Sequence, residues 1–174
     1  MASTAIKTEE EKKEFFDSPE DLDMKTTQLA EWIRDSQFFS IFTGAGISTS
    51  SGIPDYRSGY GTCLPTGPGC WEKAANKNKY KEDLKRSGKS LPLAYRVPFN
   101  TTIQQARPSP THMAMKELMD RGILKGCVSQ NIDGLHRKSG MDPDKLADLH
   151  GNTNLELCIK CGREHMRDYR VRCA

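Results

Sequence analysis

Residues Phe38 to Arg57 read FFSIFTGAGISTSSGIPDYR, and they predict the centre of the fold. The first part, 38–43, is a short apolar and β-prone run that is typical of a buried strand. The run passes directly into Gly44-Ala45-Gly46, which indicates a tight turn. Glycines let the main chain approach a ligand closely, and a helix that starts after them favours an anion. The stretch therefore predicts a strand, a glycine turn and a site for a phosphate-bearing ligand.

The glycine turn alone leaves two interpretations open. The common dinucleotide fingerprint has a third glycine, where this chain has Thr49, and an acidic residue about 20 positions later. Neither is present, so a turn that only closes a core strand is an equally good explanation. The next residues favour a ligand site, because Pro54 to Arg57 supply a rigid turn, a carboxylate, an aromatic ring and a guanidinium side by side.

A second strand is predicted further along the chain. Ser109 and Pro110 carry the signals of a helix start, and Gly122 carries those of a helix end. The apolar run 123–129 then indicates a buried strand. Strand, crossover and strand together predict a parallel α/β sheet.

Polar residues follow this second strand at its carboxyl end, where the segment 130–134 reads Gln-Asn-Ile-Asp-Gly. Open α/β sheets bind ligands beyond the carboxyl ends of their strands, which puts these amides and this carboxylate beside the glycine turn. Asn-x-Asp-Gly is also common turn chemistry, so the residues alone leave both interpretations open.

His150 is the best candidate for acid–base chemistry. It follows an apolar run that ends at Leu149 and precedes Gly151, which indicates a side chain presented at a strand end. Imidazole, with an unperturbed pKa of about 6.5, is the natural proton acceptor at neutral pH. We expect His136 to be structural, and His112 to pack against or cap the helix that it begins.

One cysteine pair has metal-ligand spacing. Cys158-Ile159-Lys160-Cys161 is half of a zinc-ribbon signature, whereas structural zinc takes four ligands, usually as two such pairs. Only Cys173 follows, and neither it nor His165 completes a standard spacing. The sequence therefore predicts Cys158 and Cys161 as metal ligands in an incomplete site.

The bulk composition argues against several classes of protein. At 174 residues the chain has the length of one domain. Its 26 basic and 23 acidic residues leave a net charge of only +3, which argues against a dedicated nucleic-acid binder. No apolar run approaches the roughly 20 residues of a membrane span, and residues 1–13 lack a signal-peptide core. We expect an intracellular, soluble protein with no membrane partner.

The remaining segments are predicted to be scaffold or solvated surface. Residues 1–17 are typical of a flexible arm. Ser18-Pro19 begins a helix that we expect to run from 19 to about 35 and to pack beneath the first strand. The segment 58–107 indicates a long loop or helical insertion, and its basic run 77–89 a solvated face.

Four motifs, in this order along the chain, resemble those of the sirtuins, the NAD-dependent protein deacylases. They are GAGISTSSGIPDYR, Gln130-Asn131-Ile132-Asp133, Leu149-His150-Gly151 and the Cys158/Cys161 pair. The resemblance runs from about Asp17 to Tyr169, over the N-terminal half of a sirtuin catalytic domain. Pro54 to Arg57, Thr111 to Met113 and Leu149 to Asn152 are most similar to the branch that contains the nuclear, chromatin-associated sirtuins.

The resemblance implies an α/β fold with a partial, Rossmann-like parallel sheet and a small zinc-ribbon and helical module, truncated at the C-terminus. It divides the chain into a flexible arm, 1–17, and a partial NAD-binding domain, 18–150, that includes the insertion 58–107. The segment 151–174 would begin a zinc-binding module. The second cysteine pair and the later strands of the family have no counterpart in this sequence.

The resemblance also implies a reaction, in which the acyl group of an acyl-lysine is transferred to ADP-ribose and nicotinamide is released. NAD is then the cosubstrate, and zinc is structural. His150 is the implied catalytic base, and Asn131 and Asp133 complete the catalytic set. The implied cofactor-binding residues are Gly44, Ala45, Gly46, Ser48, Ile53, Asp55, Tyr56, Arg57, Gln130, Asn131, Ile132 and Asp133.

The implied partner is an acyl-lysine protein, with a histone as one candidate, in the nucleus and associated with chromatin. The oligomeric state is left open. Two alternatives stay open as well: mono-ADP-ribosyl transfer to protein from the same site, and an inactive sirtuin fragment that acts as an interaction module.

Overall fold

A three-stranded parallel sheet forms the centre of the computed structural model, which describes residue 10 and the ranges 13–59, 61–75 and 103–171. The strands are β1 (Phe39–Thr43), β2 (Leu124–Ser129) and β3 (Leu146–Asp148), in the order β1-β2-β3. The first two strands begin one residue later than the apolar runs predicted. The predicted α/β fold with a parallel sheet is therefore confirmed.

The register of the sheet brings the ends of the strands level. Thr43 is paired with Ser129, and Ser129 with Asp148. Each of these residues is the last of its strand. The polar segments that follow the three strands therefore all start from one edge of the sheet, which we call the carboxyl edge.

Helices and a hairpin complete the described elements. The helices are α1 (Pro19–Asp35), α2 (Cys70–Ala75), α3 (Pro110–Asp120) and α4 (Leu135–Lys138), with 3-10 helices at Ala45–Ser51 and Pro143–Lys145. An antiparallel pair, β4 (Leu155–Leu157) and β5 (Glu164–Met166), forms a second, smaller sheet.

Local sequence explains where α3 begins and ends. The Ser109 side chain accepts a hydrogen bond from the His112 N–H, and the His112 ring accepts one from the Ser109 N–H, which makes a reciprocal cap. At the other end Gly122 adopts φ +69°, and the N–H of Ile123 reaches the Leu118 carbonyl. Glycine tolerates this left-handed conformation without strain, so the chain turns directly into β2.

The hydrophobic core lies between α3 and one face of the sheet. Met115 and Met119 of α3 pack with Leu124 and Cys127 of β2, and Leu146 of β3 adds to the cluster. Met115 and Met119 are both buried. The crossover helix is thus fixed over β2, the central strand.

The predicted packing of α1 beneath the first strand is wrong, although the helix itself is confirmed with its Ser18 cap. No residue of α1 is buried, and Leu22 is 54% exposed. The reason lies in β1, an edge strand whose Phe39 and Ile41 face the core while Phe42, on the other face, stays 65% exposed. An amphipathic pattern predicts an apolar stripe but not the surface that covers it.

Several predicted segments lie wholly or mainly outside the described residues. These are most of the arm 1–17, positions 60 and 76–102 of the insertion, its basic run 77–89, and Cys173. Among the described residues, no helix is long and apolar enough to cross a membrane.

The different surroundings of Leu124 and Leu22 give a test of this packing. Leu124→Ala removes a fully buried side chain and should lower the free energy of unfolding by about 2–5 kcal/mol. Leu22→Ala, on the exposed side of α1, should change it by less than about 0.5 kcal/mol. Urea denaturation measures both, and equal losses would contradict the described core.

Candidate functional site

The segments after β1, β2 and β3 are joined to one another at the carboxyl edge. The N–H of Gln130 donates to the Thr43 carbonyl at 3.1 Å, and the N–H of Leu149 donates to the Ser129 carbonyl at 2.8 Å. Both bonds extend the strand ladder by one residue past the last paired position. The polar side chains beyond them are therefore held at fixed positions along this edge.

A cavity of about 480 Å³ opens at the carboxyl edge. Its walls come from the segments after all three strands and from α2. We call it the edge cavity, and it is lined by Ala45, Asp55, Tyr56, Arg57, Trp71, Gln130 and His150. Six of these seven residues were singled out from the sequence, and Trp71 was not.

His150 is an exposed side chain on the cavity wall with one fixed ring nitrogen. Its Nδ1 lies 2.8 Å from the carbonyl oxygen of Gln130. A carbonyl only accepts, so Nδ1 carries a proton, and in the neutral ring Nε2 then has the lone pair. This histidine is thus oriented to accept a proton through Nε2.

Asp133 lies behind the cavity wall, and each oxygen of its carboxylate accepts a hydrogen bond. One oxygen accepts from the Ser48 hydroxyl at 2.7 Å, and the other accepts from the N–H of Leu135 at 2.9 Å. The Asn131 amide donates to the Gly44 carbonyl at 2.9 Å. These side chains connect the turn after β1 to the segment after β2 and are not part of the cavity lining.

Gly44 leaves room for the Gln130 side chain. A Cβ atom at this position would lie 2.5 Å from Nε2 of Gln130. Any larger residue would push the Gln130 amide away from its place in the edge cavity. The Gln130 amide therefore fills space that the absence of a side chain at Gly44 leaves open.

Two rings and a guanidinium form one wall of the edge cavity. The ring centroids of Tyr56 and Trp71 are 5.1 Å apart, and the Arg57 guanidinium carbon is 5.8 Å from the Trp71 centroid. Cations are attracted to the face of an indole ring at such distances. The wall thus combines flat apolar surface with a positive charge.

Backbone contacts bring Trp71 to this wall. The N–H groups of Cys70 and Trp71 donate to the carbonyls of Asp55 and Tyr56, and a Cβ on Gly69 would lie within 2.4 Å of the Tyr56 and Arg57 main chain. Only glycine permits that approach. The sequence signal was no more than an aromatic residue close behind a Gly-Pro-Gly turn.

The carboxylate of Asp55 supports the same wall from within. The N–H of Ser58 donates to one of its oxygens at 3.0 Å, and the Ser58 hydroxyl donates to the other. Asp55 thereby closes the turn that carries Tyr56 and Arg57 into the cavity. The backbone carbonyl of Asp55 also accepts a hydrogen bond from the N–H of Cys70, the first residue of α2.

The remaining predicted cofactor-binding residues do not line the edge cavity. Gly46 is exposed, with open space where a Cβ would be. Ile53 is half-buried, and its N–H donates to the Ser48 carbonyl. The Ile132 carbonyl accepts from the N–H and the hydroxyl of Thr153.

Asn154 is a buried hub that the sequence did not indicate. It is fully buried, and its side-chain amide donates to the backbone carbonyl of Asp133 at 3.1 Å. Its backbone carbonyl accepts from the N–H of Arg167 at 2.7 Å. It connects the segment after β2 with the chain beyond β5. Asparagine is common in solvated loops, so its burial becomes visible only in the fold.

His112 and His136 form a buried pair under the carboxyl edge, with ring centroids 4.9 Å apart. Burial, reinforced by the neighbouring His136, lowers the pKa of His112 to about 4, although Asp133 opposes the shift. Burial also lowers the pKa of His136, against the opposing charges of Asp133 and Asp148. This burial agrees with the structural role that we expected for both histidines.

The Cys158 and Cys161 pair lies in the turn between β4 and β5. Hydrogen bonds from the N–H groups of Cys161 and Lys160, and then from the Cys161 thiol, lower the pKa of Cys158. That favours the thiolate, the form that binds metal. Within the described ranges, however, no three His, Cys, Asp or Glu residues are grouped to hold a metal ion, so half of a four-ligand donor set is present.

Comparison with known proteins gives one family. A family model described as the Sir2 family matches residues 44–172. NAD-dependent protein deacetylase SRT1 from Arabidopsis thaliana is 45% identical over 159 residues, which are 91% of this chain and 28% of that protein. NAD-dependent protein deacetylase Sirt6 from Drosophila melanogaster is 41% identical over 152 residues, 87% and 40% of the two chains. The chain thus spans less than half the length of these curated relatives.

Solved structures agree on the fold. A complex of Sir2 with a p53 peptide and NAD+ is 27% identical with a TM-score of 0.50, over 82% of this chain and 52% of that chain. A Sir2 variant with a deacetylated p53 peptide and 3′-O-acetyl-ADP-ribose is 26% identical with a TM-score of 0.51, over 81% and 53%. The Rossmann-like α/β architecture is shared.

The buried histidine pair predicts acid sensitivity of the fold. Between about pH 6.5 and pH 4 the unfolded chain binds protons on His112 and His136 that the folded chain does not, so the free energy of unfolding falls as the pH decreases. His112 alone should contribute a loss of about 2 to 3 kcal/mol at pH 4.

Urea denaturation of the wild type and of His112→Asn at several pH values measures this contribution. The variant should lose less stability than the wild type over this interval. Equal slopes would contradict the prediction, and NMR titration of the His112 ring gives the same answer if the variant does not fold.

Proposed function

The chain belongs to the Sir2 family, and we propose that it acts in the NAD-dependent removal of acyl groups from lysine side chains of proteins. In this reaction the acyl group is transferred to ADP-ribose, and nicotinamide is released. One observation carries the proposal: His150 shares the edge cavity with a cation, two rings and an amide, and its Nε2 is free to accept a proton. Relatives named as NAD-dependent deacetylases support it.

The residues of the edge cavity have the chemistry that a dinucleotide needs. Arg57 supplies a positive charge for phosphate oxygens, and Tyr56 and Trp71 supply flat surfaces for a ring. The Gln130 amide can both donate to and accept from a carboxamide or a hydroxyl group. Ala45, between two glycines, offers main chain with little steric obstruction. NAD, when bound, supplies the ribose whose bond to nicotinamide is broken.

His150 acts in this proposal as the base. The Gln130 carbonyl holds Nδ1 as a donor, which leaves the lone pair on Nε2 to take a proton from a ribose hydroxyl. Gln130 therefore contributes through its main chain to the tautomer of His150 and through its side chain to the cavity. The base is positioned before any ligand arrives.

We assign Asn131, Asp133 and Ser48 to the support of the cofactor-binding segments. Asp133 accepts hydrogen bonds from Ser48 and Leu135 and lies outside the cavity lining. Loss of any of these three side chains should therefore change the shape of the site more than its charge. Gly44, Gly46, Ile53 and Ile132 belong to the same two segments.

The division of the chain follows from this assignment. Residues 18–150 contain all the cavity-lining positions and form the proposed NAD-binding part, with 1–17 as an arm and 151–174 as the beginning of a zinc-binding module. The lowered pKa of Cys158 supports two zinc ligands at Cys158 and Cys161, and zinc has no part in the proposed chemistry. Zinc affinity of the purified chain that is unchanged by Cys158→Ser would contradict this ligand pair.

We propose the nucleus as the setting and an acylated histone as one substrate, on the resemblance of Pro54 to Arg57 and Leu149 to Asn152 to the chromatin-associated branch. The Sirt6 relative supports that branch. A tagged chain that is excluded from nuclei in cells would count against this setting.

Removal of the base tests the proposed reaction. The chain is mixed with NAD and an acetylated histone-tail peptide, and nicotinamide and O-acetyl-ADP-ribose are measured by mass spectrometry. His150→Ala should lower their formation by about 10²- to 10⁴-fold, because the proton acceptor is lost. The matched control is His165→Ala on β5, outside the cavity lining, which should keep wild-type rates.

Two other outcomes would favour a different function. NAD whose adenine-side label ends on protein, without free O-acetyl-ADP-ribose, would favour mono-ADP-ribosyl transfer. A folded chain that forms no product at all would contradict deacylation by this chain and favour an interaction module.

A further inference from the structure

Arg137 of α4 bridges two acidic residues from different parts of the fold. Its Nε donates to Asp148 at the end of β3 at 2.7 Å, and its Nη1 donates to Glu164 of β5 at 2.5 Å. The side chains of Arg137 and Asp148 are each only 12% exposed, whereas that of Glu164 is 40% exposed. A planar guanidinium can hold two carboxylates in fixed directions, which a single ammonium cannot.

The bridge keeps two like charges together at this point. Burial works against the charge of Arg137, but the hydrogen bonds and negative charges of Asp148 and then Glu164 together outweigh it, so the pKa of Arg137 lies above its ordinary value. Both carboxylates contact the same guanidinium, so its removal would leave them facing each other. Asp148, the more buried of the two, could relieve the repulsion only by moving its own segment.

The segment that Asp148 would move is the one that carries His150. Asp148 stands two positions before His150, and its carbonyl accepts from the N–H of Gly151 at 3.1 Å to close the intervening turn. The Nδ1 bond of His150 to the Gln130 carbonyl starts from this turn. A displacement of Asp148 therefore reaches the ring of His150 through a single turn of backbone.

We propose that Arg137 is a positioning residue that fixes the orientation and tautomer of His150 through Asp148. Its catalytic consequence rests on the proposed function, but its effect on the His150 ring does not. No role was predicted for Arg137 from the sequence, because the two acidic partners come from distant positions in the chain.

The ring of His150 gives a readout that needs no substrate. Nitrogen-15 NMR of labelled histidines distinguishes a ring that is protonated on Nδ1 from one protonated on Nε2. The wild type should hold His150 with the proton on Nδ1, facing Gln130. Arg137→Gln should shift His150 toward the Nε2-protonated form, and Arg137→Lys should restore part of the wild-type signal, since it keeps one ion pair.

The deacylation kinetics of these variants should follow their effects on the His150 tautomer. Arg137→Gln should lower kcat for deacylation by about 10- to 100-fold while KM for NAD changes by less than about twofold, because the base is misplaced and the cavity wall is intact. Arg121→Gln is the matched control, since Arg121 forms an exposed ion pair with Glu117 on α3. It should leave both the tautomer and kcat unchanged.

If Arg137→Gln does not fold, Arg137→Lys decides the proposal by a smaller shift toward the Nε2-protonated form. Glu164→Gln keeps the pair between Arg137 and Asp148. It should leave His150 protonated on Nδ1. The proposal is overturned if Arg137→Gln folds with an unchanged His150 tautomer, if kcat falls only in proportion to the folded fraction, or if Glu164→Gln changes the tautomer as much as Arg137→Gln does. A wild-type chain without deacylase activity would refute the proposed function. The His150 tautomer would still test whether Arg137 positions the ring.

Discussion

The parallel register of the sheet is the constraint on which the rest of this structure depends. It aligns Thr43, Ser129 and Asp148 at one edge, so the three segments that follow β1, β2 and β3 begin side by side although they are far apart in sequence. In parallel sheets the crossover helix covers one face and leaves the carboxyl ends free for ligands. The edge cavity is a direct result of this geometry: each segment needs only to continue past its strand to contribute a wall.

Buried and half-buried polar groups behind the cavity hold those segments in place. The Ser48 hydroxyl donates to the Asp133 carboxylate. The side-chain amides of Asn131 and Asn154 donate to the backbone carbonyls of Gly44 and Asp133, respectively. None of the side chains of Ser48, Asn131, Asp133 and Asn154 lines the cavity. Such groups are costly to bury unless they are hydrogen-bonded, so the arrangement stabilises one conformation of the walls and strongly disfavours others. Hydrogen bonds outside the lining therefore hold the segments in place, while Tyr56, Arg57 and Trp71 are exposed on the cavity wall.

The sequence predicted the elements that depend on local pattern. It was weakest where contacts between distant residues determine the position of a side chain. Apolar runs gave β1 and β2, serine and proline gave the starts of α1 and α3, and the position of His150 followed from a strand end. Trp71 was missed because its place in the cavity depends on the contact of Gly69 with a backbone segment twelve or more positions earlier. Asp133 was identified, but whether its carboxylate points into the cavity or toward Ser48 depends on a residue 85 positions away. The exposed face of α1 was mispredicted because amphipathicity does not specify a partner.

Titration of NAD into the isotope-labelled chain, followed by NMR, tests the central claim most directly. If the aligned strand ends form a dinucleotide site, the signals of the cavity-lining residues and of the Trp71 indole should shift together and saturate with one dissociation constant. Signals from the exposed face of α1 should stay in place. Shifts that are absent, or that are confined to the hairpin of β4 and β5, would contradict this account.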